Sequence, residues 1–184
     1  MESLRRLASE LEVPERTLRR AAAEGLIHGE RISPRRFRTT LREETYLSAQ
    51  WPMLSQLRAS LRTEPNVRLA VLFGSLALSA GRSDSDIDLL VVLDDESIER
   101  LLDLAERQSR RMSRDVQPVR LLDAERSPAL MADVLRHGRV LIDRDDRWAA
   151  LTRGKAKWLR RAQAQEEVPL AVLDEPVSHT RIAR

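Results

Sequence analysis

The chain has 184 residues, of which 42% are hydrophobic and 33% charged, and its formal net charge is +3. This length suffices for one domain with a sizeable core and a small appended module, but not for two full-sized domains. Cysteine is absent, which excludes a disulfide framework, a cysteine nucleophile and a thiolate metal site. The three histidines are scattered, which argues against a histidine metal cluster. No stretch reaches the roughly 18 consecutive apolar residues of a membrane span, and the charged N-terminal segment is unlike a signal peptide. We therefore expect a cytoplasmic protein without membrane contact.

The charge is distributed unevenly along the chain. Residues 1–62 hold 12 basic and 8 acidic residues, residues 63–145 hold 12 and 16, and residues 146–184 hold 8 and 5. An acidic centre favours metal or nucleotide chemistry, and basic flanks favour contacts with anions. Because 30 of the 32 basic residues are arginines, a single arginine carries little weight by itself.

The first residues predict two short helices joined by a tight turn. Leucines recur at helical spacing in residues 2–11, Pro14 suits the first position of a second helix, and Gly25 is placed to close it. Residues 3–27 resemble DNA-binding helix-turn-helix domains. They depart from that pattern at Glu12, where many such turns carry a small residue, usually glycine.

The second of these helices has a basic face. Residues 16–42 hold 8 basic and 2 acidic residues, which exceeds the bias of the whole chain. We expect Arg16, Arg19 and Arg20 to contact the major groove or the phosphates of DNA, and the paired half-sites of such domains suggest a homodimer. A solvated arginine face is the alternative that the sequence leaves open. The arginines expected to add backbone contacts are Arg35, Arg36 and Arg38.

Beyond a predicted helix over residues 41–64, in which Pro52 should cause a kink or a break, the hydrophobic period changes. Short runs rich in branched residues are typical of buried strands, and amphipathic segments separate them. The predicted strands are 67–73, 86–93, 115–122 and 139–143, and the predicted helices are 97–112, 127–138 and 147–165. The expected divisions are 1–40 (helix-turn-helix module), 41–64 (connecting helix), 65–145 (main domain) and 146–184 (C-terminal helix and tail).

Two aspartates separated by one residue begin the second predicted strand. Because side chains alternate along a strand, Asp86 and Asp88 should share a face while Ile87 points to the core. Paired carboxylates repel each other unless a cation lies between them, and such oxygen ligands suit Mg²⁺ held jointly with substrate phosphates. The pair therefore predicts a nucleotide site with a metal ion.

A Gly-Ser pair ends the first predicted strand. Gly74 would let the backbone approach a bulky anion, and Ser75 would begin a short helix whose amides and hydroxyl can hold a triphosphate. Gly74 and Ser75, ten further residues, and Asp86 with Asp88 resemble the signature of the DNA polymerase beta-like nucleotidyltransferase superfamily. The flanking strands and the segment SPALMADVLRHGRVLIDRDDRW are similar to the minimal nucleotidyltransferases, and the resemblance covers residues 66–145.

The resemblance implies an α/β (α+β) nucleotidyltransferase fold, a mixed sheet backed by helices, with a small all-α helix-turn-helix module before it. It implies Mg²⁺-dependent transfer of a nucleoside monophosphate from ATP or another nucleoside triphosphate to a hydroxyl, with Asp86 and Asp88 binding metal and Gly74 and Ser75 binding the nucleotide. In many such proteins the partner is a HEPN-type toxin, which the antitoxin adenylylates on a tyrosine.

A third carboxylate normally joins the pair as a metal ligand or base, and here its usual position falls on Gln117. Asp115, two residues earlier, is the natural substitute; Asp123 and the absence of any third acid are the other possibilities, and Asp84 is more readily a turn former.

Three functions follow from these alternatives. The first is an antitoxin-like nucleotidyltransferase, and the second is a DNA-binding regulator with a degenerate, non-catalytic transferase domain. The third, modification of an antibiotic, lacks a recognisable acceptor-binding domain.

Overall fold

The structure, a computed structural model, describes residues 3–33, 36–78 and 85–166. A four-stranded mixed sheet in the order β5-β4-β3-β6 forms its centre, and a separate hairpin pairs β1 with β2. The strands are β1 (Glu30–Ser33), β2 (Arg36–Arg38), β3 (Val67–Phe73), β4 (Ile87–Leu93), β5 (Val116–Arg120) and β6 (Arg139–Asp143). The helices are α1 (Ser3–Glu10), α2 (Glu15–Ala23), α3 (Leu41–Arg62), α4 (Gly74–Ala77), α5 (Ile98–Met112), α6 (Leu121–Ala124), α7 (Pro128–His137), α8 (Arg147–Arg153) and α9 (Lys155–Glu166).

The direction of each strand decides which residues meet at the edges of the sheet. β3 pairs antiparallel with both β4 and β6, whereas β4 pairs parallel with β5. The parallel pair needs a crossover, and α5 supplies it. As a result the end of β3 and the starts of β4 and β5 lie at the same end of the sheet. There Asp88 pairs with Phe73 on one side and with Gln117 on the other.

Helices cover both faces of the sheet. Leu72 and Leu89 belong to a core shared with α1, α2, α3 and α5, while Val71 and Leu90 belong to a second core that includes side chains of α7. This arrangement confirms the expected mixed sheet backed by helices. Both central strands have five consecutive buried residues, as expected for a sheet covered on both sides.

Serine and threonine caps begin three of the helices. The Thr40 side chain accepts a hydrogen bond from the Glu43 amide at the start of α3 (3.2 Å), and Ser97 and Ser127 cap α5 and α7 in the same way. Each cap satisfies a backbone N–H that has no partner inside the helix. α3 then runs without interruption through Pro52, so the alternative of a break there is wrong.

The turn between α1 and α2 has the geometry that glycine favours, although its residue is glutamate. Glu12 has a φ of +54°, and the Val13 amide donates to the Ala8 carbonyl (2.9 Å). Gly25 (φ +84°) ends α2 with the same six-residue hydrogen bond, from Leu26 to Ala21. Both ends are therefore Schellman motifs, and the expected closure of α2 at Gly25 is confirmed.

The N-terminal module is not all-α, which corrects one part of the expected fold. Residues 30–38 include the antiparallel pair β1 and β2, with Arg31 opposite Phe37. Phe37 packs against the larger core, and an extended hairpin places it there. Side chains from both sides of residue 40 belong to the same larger core. The domain boundaries predicted from the sequence stay predictions. Arg35 lies outside the described residues.

The C-terminal helical segment is two helices, where one was expected. α8 ends at Gly154, and α9 follows directly and packs on α7. In the part of the chain that the structure describes, no helix has the length and apolar character needed to cross a bilayer.

Candidate active site

The two aspartates lie where the sequence predicted, at the start of β4. Asp86 immediately precedes the strand and is exposed, and Asp88 is its second residue and is half-buried. Ile87 between them is fully buried in the core on the opposite face. Strand alternation therefore directs Asp88 toward the sheet face that α7 covers, and not toward the larger core.

Gly74 is in contact with the second aspartate. Its φ is +71°, a conformation that L side chains rarely adopt, and a Cβ added there would lie 2.3 Å from Asp88 Oδ2. Ser75, next in α4, is half-exposed beside it. Gly74 and Asp88 are thus juxtaposed, and the close approach that requires glycine is to the Asp88 carboxylate.

Negative charge accumulates around Asp88. Burial raises the pKa of the Asp88 carboxyl above its usual value, and the nearby Asp86 and Asp133 carboxylates raise it further. Asp133 lies on α7 and is half-buried. Sequence reasoning missed Asp133 because its helix offered only a packing pattern, and nothing local indicates which sheet face that helix covers.

An amide, Gln117, lies at the position where the sequence resemblance predicted a third acid. Gln117 is paired with Asp88 in the strand register, and its Nε2 donates a hydrogen bond to Asp86 Oδ2 (2.7 Å). Asp115 comes just before β5 with an exposed side chain, and its carbonyl accepts from the Ile87 amide (2.8 Å). Asp115 therefore belongs to the same edge as the aspartate pair.

Asp123 lies away from this edge. β5 ends at Arg120, and Asp123 is in α6, beyond the opposite end of the strand from Asp115. Its carboxylate accepts a hydrogen bond from Arg120 Nε (2.6 Å). Strand alternation does not relate Asp123 to Asp115, because the strand ends before α6 begins.

The chemistry of the donor set fits a hard divalent cation. Asp86 and Asp88 offer carboxylate oxygens from the same end of the sheet, and these are the ligands that such a cation prefers. Within residues 3–33, 36–78 and 85–166, no group of three or more His, Cys, Asp or Glu side chains is arranged to hold a metal ion. Asp84 lies outside those residues.

The arginines predicted to contact DNA lie on α2. Arg16 is exposed, Arg19 donates to Glu15 (2.8 and 2.6 Å), and Arg20 donates to Glu24 (2.7 Å). Two of the three are therefore paired with carboxylates one helical turn away, and such exposed pairs are weak. Their role in DNA binding stays a prediction.

The chain belongs to the polymerase beta nucleotidyltransferase family, whose family model matches residues 55–147. The matched range includes Gly74, Ser75, Asp86, Asp88 and Gln117. This result confirms the resemblance on which the expected fold depended. No curated protein matches the sequence.

Several solved structures match part of this chain. One is described as a toxin-antitoxin with AMP-PNP, with 24% identity, 64% of this chain and 92% of that chain covered, and a TM-score of 0.48. Another is a tri-AMPylated Shewanella oneidensis HEPN toxin in complex with an MNT antitoxin, with the same identity, coverage and TM-score. A third, from Shewanella oneidensis, has 19% identity, 62% and 90% coverage, and a TM-score of 0.46.

Proposed function

We propose that this chain is a Mg²⁺-dependent nucleotidyltransferase that transfers a nucleoside monophosphate from ATP to a hydroxyl of a partner protein. One observation carries the proposal: Asp86 and Asp88 lie at the end of the sheet where Gly74 follows β3, in a chain of the nucleotidyltransferase family. Such an arrangement brings a carboxylate pair next to a short turn that can accept phosphates.

The transfer forms one bond and breaks another. The acceptor oxygen would attack the α-phosphorus of ATP, the bond from that phosphorus to the bridging oxygen would break, and pyrophosphate would leave. Mg²⁺ bound by Asp86 and Asp88 would neutralise phosphate charge and make the acceptor hydroxyl more acidic.

The side chains of the site would divide the remaining work. Gly74 and Ser75 would position the triphosphate through the backbone and the hydroxyl. Asp115, at the same edge, is the carboxylate we assign to accept the proton of the acceptor hydroxyl. Asp86 and Asp88 would also fix the orientation of the phosphates, because one directly precedes β4 and the other lies on it, so that the distance between them is held.

We propose a HEPN-type toxin as the acceptor protein. The support is the resemblance of residues 66–145 to minimal nucleotidyltransferases, many of which act as antitoxins of such toxins. Binding of promoter DNA by α2, as a homodimer, would accompany this role, with Arg16, Arg19 and Arg20 as the contacts.

Label transfer tests the activity. Purified wild-type protein, α-labelled ATP and Mg²⁺ are incubated with host lysate, alongside the variant carrying Asp86→Asn and Asp88→Asn. We expect a labelled protein band with the wild type alone, and mass spectrometry of the band identifies the acceptor. If no label is incorporated when the toxin partner is added, and calorimetry shows that ATP still binds, the proposed transferase activity is contradicted.

The second candidate is a DNA-binding regulator whose transferase domain no longer catalyses. The observation that favours it is Gln117, which replaces the acid beside Asp86 and donates a hydrogen bond to it. A pair of variants separates the two functions. If the chain is an enzyme with Asp115 as base, Asp115→Asn lowers the rate of transfer by about 100-fold or more. If it is a decayed enzyme, Gln117→Asp creates transfer activity that the wild type lacks.

A further inference from the structure

A cavity of about 530 Å³ lies beside the N-terminal module. The end of α2, the C-terminal half of α3, β6 and α8 surround it, and its apolar wall includes Val140, Ile142 and Trp148. This volume is within the range of small-molecule sites. The cavity is therefore large enough for a ligand of nucleotide size or smaller.

The cavity is far from the aspartate pair in the topology of the sheet. Asp143, which lines it, is opposite Leu69 near the start of β3, whereas Gly74 follows the end of β3. β6 is also an edge strand, two positions from β4. A ligand here would be separate from the nucleotide site proposed above.

A buried arginine lines this cavity. Arg58 of α3 is 8% exposed, and its guanidinium forms an ion pair with Glu24 through Nη2. Its Nε is buried and has no hydrogen-bond partner among the described residues. Burying a guanidinium is costly unless its donors are satisfied. One carboxylate therefore leaves the donor capacity of Arg58 incompletely used.

Further charged groups line the cavity. Arg20, Arg62 and Arg144 add positive charge, Asp143 and Asp146 add negative charge, and Glu24 bridges Arg20 and Arg58 with its two carboxylate oxygens. Burial, together with the neighbouring Arg62 and Arg20, lowers the pKa of Arg58 to about 10, so the group stays charged at neutral pH. The Glu24 carboxylate thus occupies the position of an anion between two arginines.

We propose that this cavity binds a small phosphate-bearing molecule, with the phosphate or diphosphate group held by Arg58, Arg62 and Arg20 and the body of the ligand against Trp148. Planar guanidinium groups recognise phosphates with paired hydrogen bonds. Glu24 competes with the ligand for Arg58 and Arg20. A concave site with a buried arginine suits a small molecule better than the backbone of a DNA duplex.

The test measures binding of pyrophosphate and of ADP to the full chain by calorimetry, with chelator present so that no metal supports the nucleotide site. We expect both Arg58→Met and Arg62→Gln to weaken binding by about tenfold or more, because each removes a charged donor. Glu24→Gln should tighten binding, since it removes the competing carboxylate. The control is Arg5→Gln, an exposed arginine of α1, which should leave binding unchanged.

Three outcomes would overturn the proposal: no binding to the wild type, binding that survives both arginine substitutions, or displacement of the ligand by a short random-sequence duplex. Thermal melts of each variant show whether it folds. Arg62 is exposed, so its variant decides the question even if Arg58→Met does not fold.

Discussion

Arg139 donates two hydrogen bonds to Glu43, with distances of 2.6 and 2.9 Å, and both side chains are more than nine-tenths buried. The same guanidinium donates to the carbonyls of Leu26 (3.2 Å) and Ala77 (2.9 Å) and lies 3.6 Å from the centre of the Tyr46 ring. One buried ion pair therefore joins the N-terminal module, α3, β6 and the short helix α4.

Breaking this pair should be costly. We expect Glu43→Gln to lower the free energy of unfolding by about 3–5 kcal/mol, because it leaves the buried charge of Arg139 without its partner. Urea denaturation measures the change. Glu30→Gln, which removes the exposed pair with Arg38 (3.2 Å), is the matched control and should cost less than about 1 kcal/mol. Equal effects from both would contradict this account of Arg139.

His28 should make stability depend on pH. Burial and the neighbouring Arg139 lower the pKa of His28 below 6.5, and its Nε2 is 3.0 Å from the Gly138 carbonyl oxygen. In the unfolded chain the imidazole takes up a proton near pH 6.5, before the folded chain does, so stability present above that pH is lost as the pH falls. We expect Tm to fall between pH 7.5 and 5.5.

The matched variant for this effect is His28→Gln, which keeps a side-chain donor without a titrating ring. Its Tm should change less over the same pH range than that of the wild type. An unchanged pH dependence in the variant would assign the effect to another group.

The ionised carboxylate of Asp88 should lower the stability of the folded chain. Because the pKa of its carboxyl is raised, the ionised form is less stable in the folded chain than in the unfolded chain, and stability is lost as the pH rises above about 3.8. In chelator at pH 7 we expect Asp88→Asn to raise Tm by about 1–3 °C. Asp103→Asn, on the exposed face of α5, should move Tm by less than about 1 °C. A lower Tm for Asp88→Asn would show that this carboxylate stabilises the fold.

Gly74 should not tolerate a side chain. Gly74→Ala must adopt φ near +71° and bring its Cβ against Asp88 Oδ2, so we expect a loss of about 1–3 kcal/mol in the free energy of unfolding. Adding Asp88→Ala removes the collision and should restore part of the loss. Gly154→Ala, at a φ of −82°, is the control and should change stability by less than about 1 kcal/mol. A double variant as unstable as Gly74→Ala alone would leave backbone strain as the whole effect.

The strands were predictable because burial on both faces leaves a clear local pattern. β3 and β6 begin and end at the predicted residues, and β4 begins one residue later than predicted. The third strand was predicted too long, since Leu121 and Leu122 continue the apolar run but begin α6. Short apolar runs do not distinguish a strand from the helical turn that follows it.

The contacts of the site were less predictable, because they join residues that are distant along the chain. The motif itself identified Gly74, Asp86 and Asp88. The bond from Gln117 to Asp86 depends on the parallel register of β4 and β5, and the effect of Asp133 on Asp88 depends on which face α7 covers. Neither the register nor the face is encoded in a local period.

The docking of the helix-turn-helix segment has a consequence for synthesis on the ribosome. Gly25 accepts a hydrogen bond from the Val140 amide (3.1 Å), and Leu26 accepts one from Arg139. The helix-turn-helix segment therefore packs against a strand that is synthesised more than 110 residues later. During translation the first two helices leave the exit tunnel long before β6 exists, with Leu18 and Leu26, both fully buried in the finished protein, still uncovered. The helix-turn-helix segment therefore cannot complete its native packing until β6 has been synthesised.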